Sequence, residues 1–104
     1  MLLTSLLTPE TRVLDFGVTS PALGQALAED GFTRYLGLVP PKQLDSVRSR
    51  AGEMAGRFHA LTSPEQAVRS SSDLLILRPA YVGQLWLVHD LRHVRYIAVE
   101  SGWR

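Results

Sequence analysis

Two rhythms of apolar and polar positions alternate along the chain. Five short stretches are dense in Val, Leu, Ile, Phe and Tyr and read as strands: TRVLDFG (11–17), TRYLGLV (33–39), RFHALTS (57–63), SDLLILR (72–78) and RYIAVES (95–101). Several are almost continuously apolar, as strands buried on both faces of a parallel sheet must be. Between them lie segments with helical spacing and end signals. Ser20 and Pro21 form an N-cap and first-turn pair ahead of PALGQALAED (21–30), with Gly31 as the stop. PKQLDSVRSRAG (41–52) starts after Pro40 and ends near Gly52. SPEQAVR (63–69) has Ser63 as cap and Gln66 at the capping-box position. AYVGQLWLVHDLRHV (80–94) gathers Val82, Leu85, Trp86, Val88 and Leu91 near one broad face, and LLTSLLT (2–8) reads as a short leading helix.

Strand and helix alternating in this way predict an α/β domain with right-handed crossovers. The expected architecture is a doubly wound, mostly parallel five-stranded sheet in the order 3-2-1-4-5, with helices on both faces. No repeat, linker or low-complexity tract interrupts residues 1–104, so a single domain is expected.

Composition narrows the chemistry. Hydrophobic residues make up 45% and charged residues 20%, a globular balance. A net charge of +1 gives no nucleic-acid footprint, although all the basic residues except Lys42 are Arg. That bias suits phosphate or carboxylate recognition, and a GC-rich genome produces it equally well. With no cysteine, disulfides and thiolate metal sites are excluded. No signal-peptide pattern or spanning stretch is present, so a cytoplasmic protein is expected. A P-loop is absent, and His89 and His93 stand at i and i+4 without the HExxH glutamate, so no metal site is assigned. His59 reads as a packed or edge histidine, and Ser20 lacks the flanking glycines of a nucleophile elbow.

The ordered series RVLDFG, LGQALAEDGFTRYLGL, PKQLDSVRSRA, SDLLILRPA and LRHVRYIAVESG, covering roughly residues 9–102, resembles the cofactor-binding half of class I S-adenosylmethionine-dependent methyltransferases. The resemblance implies a Rossmann-like fold and a cofactor crevice at Asp15, Gly17, Val18, Thr19, Ser20, Leu38, Val39 and Thr62. In it, Asp15 would orient the cofactor's ammonium; the alternative is a carboxylate capping the local turn. This sequence departs from the family pattern at several positions. Thr19 and Pro21 stand where further glycines would be, and Val39 stands where an acidic residue would accept the ribose hydroxyls. Thr62, Ser63 and Glu65 replace an acidic residue near the adenine, and RPAY (78–81) carries Arg78 and Ala80 in place of the Asn and Pro of an NPPY motif. Strands six and seven of the family have no counterpart.

These departures lead to an expected methyltransferase-like domain with no catalytic residue and no firmly assigned cofactor, acting as a binding or assembly module or as one domain of a larger polypeptide. One alternative is an active S-adenosylmethionine-dependent methyltransferase or its cofactor-binding domain. Another is a sensor of small anions or nucleotide fragments, held by the N–H groups of residues 18–20. The last strand, with Tyr96, Ile97 and Val99 on an open edge beside Trp103, predicts a homodimer or a partner protein there. Neither a membrane nor a nucleic acid is expected as partner.

Overall fold

The computed structural model describes residues 8–63, 66 and 72–78, together with the backbone of 96–99. An α/β fold built on a parallel sheet emerges, as the alternation of apolar runs predicts. Strand β1 (Arg12–Phe16) lies at its centre, flanked by β2 (Arg34–Val39) and β4 (Leu74–Leu77). β3 (Phe58–Ala60) adds to β2, and the backbone of β5 (Tyr96–Val99) adds to β4. The order is therefore β3-β2-β1-β4-β5, with every pairing parallel. Each strand is shorter than its apolar run in the sequence; β1, for example, ends at Phe16 because the chain turns at Gly17.

Two helices connect the first three strands. α1 (Ala22–Glu29) ends at Gly31, whose φ of 97° is the left-handed conformation that glycine adopts without a Cβ penalty. α2 (Leu44–Ala51) is preceded by a 3₁₀ turn at Pro41–Gln43 and followed by another at Gly52–Arg57. Pro41 tightens this entry, since it has no N–H to offer a longer helix.

Strand alternation divides the interior into two layers. Val13, Tyr35, Val39, Phe58, Leu74 and Ile76 face one side, where Leu27 of α1 and Val47 and Ala51 of α2 cover them. Leu14, Phe16, Leu38, Leu75 and Leu77 face the other, joined by the partly buried Leu36 and Leu61. Both described helices thus lie on one face. The expected helices at 2–8 (apart from Thr8), 63–69 (apart from Ser63 and Gln66) and 80–94 lie outside the described residues, as do His89, His93 and Trp103. Among the described residues, no helix is long and apolar enough to cross a membrane, and no group of three or more metal-binding side chains converges.

Candidate functional site

In an open parallel sheet, ligands bind beyond the carboxyl ends of the strands, where the connections diverge to either side of the first strand. Here that region is formed by the end of β1, the turn at 17–21, the end of β2 and the residues after β3 and β4.

Asp15 is the penultimate residue of β1 and is 0% exposed. Register places it between Gly37 of β2 and Ile76 of β4, on the face covered by the helices. A carboxylate buried this deeply needs partners, because removing it from water without them is very costly. Two side chains supply them. The Tyr35 hydroxyl donates to Oδ2, and the Arg78 guanidinium forms an ion pair with Oδ1. Both come from the same sheet face: Tyr35 lies two residues before Gly37, and Arg78 two residues after Ile76.

Space for Tyr35 comes from two glycines. A Cβ on Gly24 of α1 would lie 2.7 Å from the tyrosine ring, and one on Gly37 would lie 2.6 Å from the Phe58 ring and 3.1 Å from the tyrosine oxygen. The Tyr35 ring meets Phe58 edge-on, with centroids 5.7 Å apart. Burial pushes the Tyr35 hydroxyl well above its ordinary pKa, so it remains a neutral donor across the physiological range. These glycines bring a tyrosine close to an aspartate; neither lies in the 17–21 turn.

The turn after β1 is closed by backbone bonds. Gly17, at φ 84°, and Val18 both donate their N–H groups to the Leu38 carbonyl, at 3.0 and 2.8 Å. One of the three N–H donors expected for an anion at 18–20 is thereby engaged, and the Val18 side chain is 0% exposed in the core. Thr19 and Ser20 are exposed. The Ser20 hydroxyl accepts from the Ala22 N–H at 3.3 Å, but Pro21 rather than Ser20 occupies the cap position of α1 and no side chain caps the helix, which corrects the expected pairing of Ser20 as cap with Pro21 in the first turn. Arg50 of α2 donates to the Thr19 carbonyl at 3.1 Å.

At the end of β2, Leu38 and Val39 are both core residues, 2% and 0% exposed. The Val39 carbonyl accepts from the Leu61 N–H at 2.8 Å. Thr62 is exposed, and its N–H, like that of Ser63, donates to Gln66 Oε1. Gln66 returns a bond from Nε2 to the Ala60 carbonyl. This is the back-reaching arm of the capping box foreseen for Ser63 and Gln66. Asp45 is solvated on α2, and His59 is exposed on edge strand β3.

Of the eight residues grouped by the sequence, Asp15, Val18, Leu38 and Val39 are packed inside, Gly17 is spent on a tight turn, and Thr19, Ser20 and Thr62 lie on the surface. Asp15 bonds to Tyr35 and Arg78 rather than to the turn that follows it. The pattern reading missed both partners. A usable signal was present: Tyr35 and Gly37 share a face of β2, and parallel register sets that face beside Asp15. No protein family model matches the chain, and no curated protein or solved structure matches it either.

Proposed function

We propose that the chain is a Rossmann-like, doubly wound domain whose cofactor crevice is filled by its own side chains, and that it acts as a non-catalytic binding or assembly module. The observation that carries this reading is the buried Asp15 carboxylate, occupied on one oxygen by Tyr35 and on the other by Arg78. In a methyltransferase-like crevice, that carboxylate would face the cofactor's ammonium. Here a guanidinium of the chain already holds the same charge position. Val39, with no acceptor on its side chain and none of its surface exposed, supports the reading at the ribose end.

Calorimetric titration of the chain with S-adenosylmethionine and with S-adenosylhomocysteine tests the proposal. The expected result is no binding of either at millimolar ligand. Micromolar binding, with contacts at Asp15 and Val39, would overturn it in favour of an active cofactor-binding domain.

Assembly is proposed at β5, whose backbone pairs with β4 on one side and, among the described residues, with no strand on the other. An edge of this kind presents unpaired N–H and C=O groups. Two copies related by a twofold axis would join their β5 strands antiparallel in one continuous sheet. Light scattering should return the mass of a dimer, and Ile97→Lys should return the monomer mass. A monomer for the unaltered chain at high protein concentration would exclude this mode of assembly.

A further inference from the structure

The sheet ends at β3 on one side and at β5 on the other, and the β3 edge is finished in a particular way. Alternate residues of an edge strand turn their backbone groups toward the neighbouring strand and away from it. The Leu61 N–H bonds to the Val39 carbonyl, and Phe58 and Ala60 stand opposite Gly37 and Val39. This register turns His59 and Leu61 toward β2. Phe58 and Ala60 therefore each present an N–H and a C=O away from the sheet.

Those outward groups are met by the chain itself. The Phe58 N–H donates to the Ala55 carbonyl. The Phe58 carbonyl accepts from Arg48 Nε at 3.0 Å, and the Ala60 carbonyl accepts from Gln66 Nε2 at 3.0 Å. Among the described residues, only the Ala60 N–H of this edge has no partner. Gln66 is fixed at its other end, where Oε1 accepts from the Thr62 and Ser63 N–H groups at 2.7 and 3.1 Å. Arg48 is half-buried and shares a stripe of α2 with Val47 and Ala51, both in the core. Core packing alone gives no reason for a guanidinium there; the edge carbonyl does.

We infer that Arg48 and Gln66 close the β3 edge, so that strand-to-strand assembly of this chain stops at two copies. The inference rests on the proposed joining of copies through β5. Were both edges open, every added copy would offer a fresh one, and the sheet would extend without closing. With β3 capped, a twofold β5 contact uses the available edge of each copy, and growth ends. An antiparallel β3 contact between copies would need the Phe58 carbonyl as acceptor for the other copy's Ala60 N–H. The Arg48 guanidinium already sits on that carbonyl, and its charge would face the same charge on the second copy.

Sedimentation of the full chain over a concentration series tests this, with a cooperative urea transition as the check on folding. The unaltered chain should level off at the mass of a dimer. The double variant Arg48→Met with Gln66→Ala should exceed a dimer and keep rising with concentration. Adding the same two changes to Ile97→Lys should turn a monomer into a dimer joined through β3. Arg48→Met alone leaves the Gln66 bonds in place and decides the matter if the double variant does not fold; its mass should also exceed that of its parent. Growth of the unaltered chain beyond a dimer would overturn the inference. So would folded Arg48 variants whose mass equals that of their parents in both backgrounds. A monomeric unaltered chain would overturn the β5 contact and the two-copy limit, and the Ile97→Lys series would still decide whether β3 is capped.

Discussion

Replacing Tyr35 by Phe isolates the contact on which the crevice reading depends. The phenyl ring keeps its place between Gly24 and Gly37 and its edge contact with Phe58, so no cavity opens beyond one oxygen atom. What is lost is a donor to a carboxylate that is 0% exposed. Hydrogen bonds to charged groups contribute about 1.5–3 kcal/mol, and a buried acceptor left short of a donor falls in the same range. A destabilisation of about 2 kcal/mol is therefore expected, close to a thirtyfold change in the folded-to-unfolded ratio. In urea unfolding this should lower the midpoint by roughly 1 M with an unchanged slope, since the surface exposed on unfolding hardly differs. The charge dependence supplies the control. In an Asp15→Asn background the bond becomes neutral, and the same Tyr35→Phe change should cost about 1 kcal/mol less. A loss below about 0.5 kcal/mol in the unaltered background, or equal losses in both, would refute the assignment of Tyr35 as the donor that stabilises the buried charge.

Two further outcomes follow from the same cluster. Gly24→Ala should gain about 1 kcal/mol of helix propensity yet lose more by pressing on the Tyr35 ring, for a net destabilisation of about 1 kcal/mol in urea unfolding. That penalty should shrink in the Tyr35→Phe protein, whose ring is released from Asp15. Stability should also hold up to the ordinary tyrosine pKa of 10.0 and fall above it, because the unfolded phenol then ionises while the buried one retains its proton. The unfolded state binds fewer protons in that window, so the slope with pH is negative. Denaturation measured at rising alkaline pH should show a shallower decline for Tyr35→Phe.

The fold was readable from the sequence because its signal is repeated. Leu14, Phe16, Leu38, Leu75 and Leu77 on one face, and Val13, Val39, Leu74 and Ile76 on the other, each add to the same strand pattern. Punctuation by Gly31, Pro40, Pro41 and Gly52 then fixes where helices stop and start. The cluster around Asp15 was harder to read, because each member has an ordinary local role. Tyr35 is a good strand residue, Gly24 looks like a weak point in a helix, and Arg78 looks like a polar residue after a strand. Their common purpose depends on the parallel register Asp15↔Gly37, which pairs residues 22 positions apart and leaves no local trace. Gly17 shows the converse case. It was legible as a special turn residue, yet its φ of 84° serves to send two N–H groups to the Leu38 carbonyl.

The same geometry explains why a strand-end aspartate alone is a poor indicator of a cofactor. A carboxylate at this point of a parallel sheet must be neutralised by something, and a bound ammonium and a neighbouring guanidinium are electrostatically alike. They differ in what exchange demands. For a ligand to take the Oδ1 position, Arg78 must leave a site where its side chain is only 17% exposed, and the Tyr35 bond must persist or be replaced at the same moment. Breaking a buried ion pair from one side costs about 3–5 kcal/mol, so a ligand would begin at a disadvantage of roughly two to four powers of ten in affinity. The buried Val39 side chain, at the end of β2, offers a ligand no hydrogen-bond acceptor either. A crevice with Arg78 shortened to Met would lose the handicap but leave Asp15 charged and half-partnered, and a ligand ammonium would then stabilise the fold as well as bind it. Arg78→Met should therefore reduce stability more than Tyr35→Phe does, and any gain of S-adenosylmethionine binding in that variant should appear as a rise in its melting temperature. An Arg78→Met protein as stable as the unaltered chain would mean that the ion pair does not hold the crevice closed.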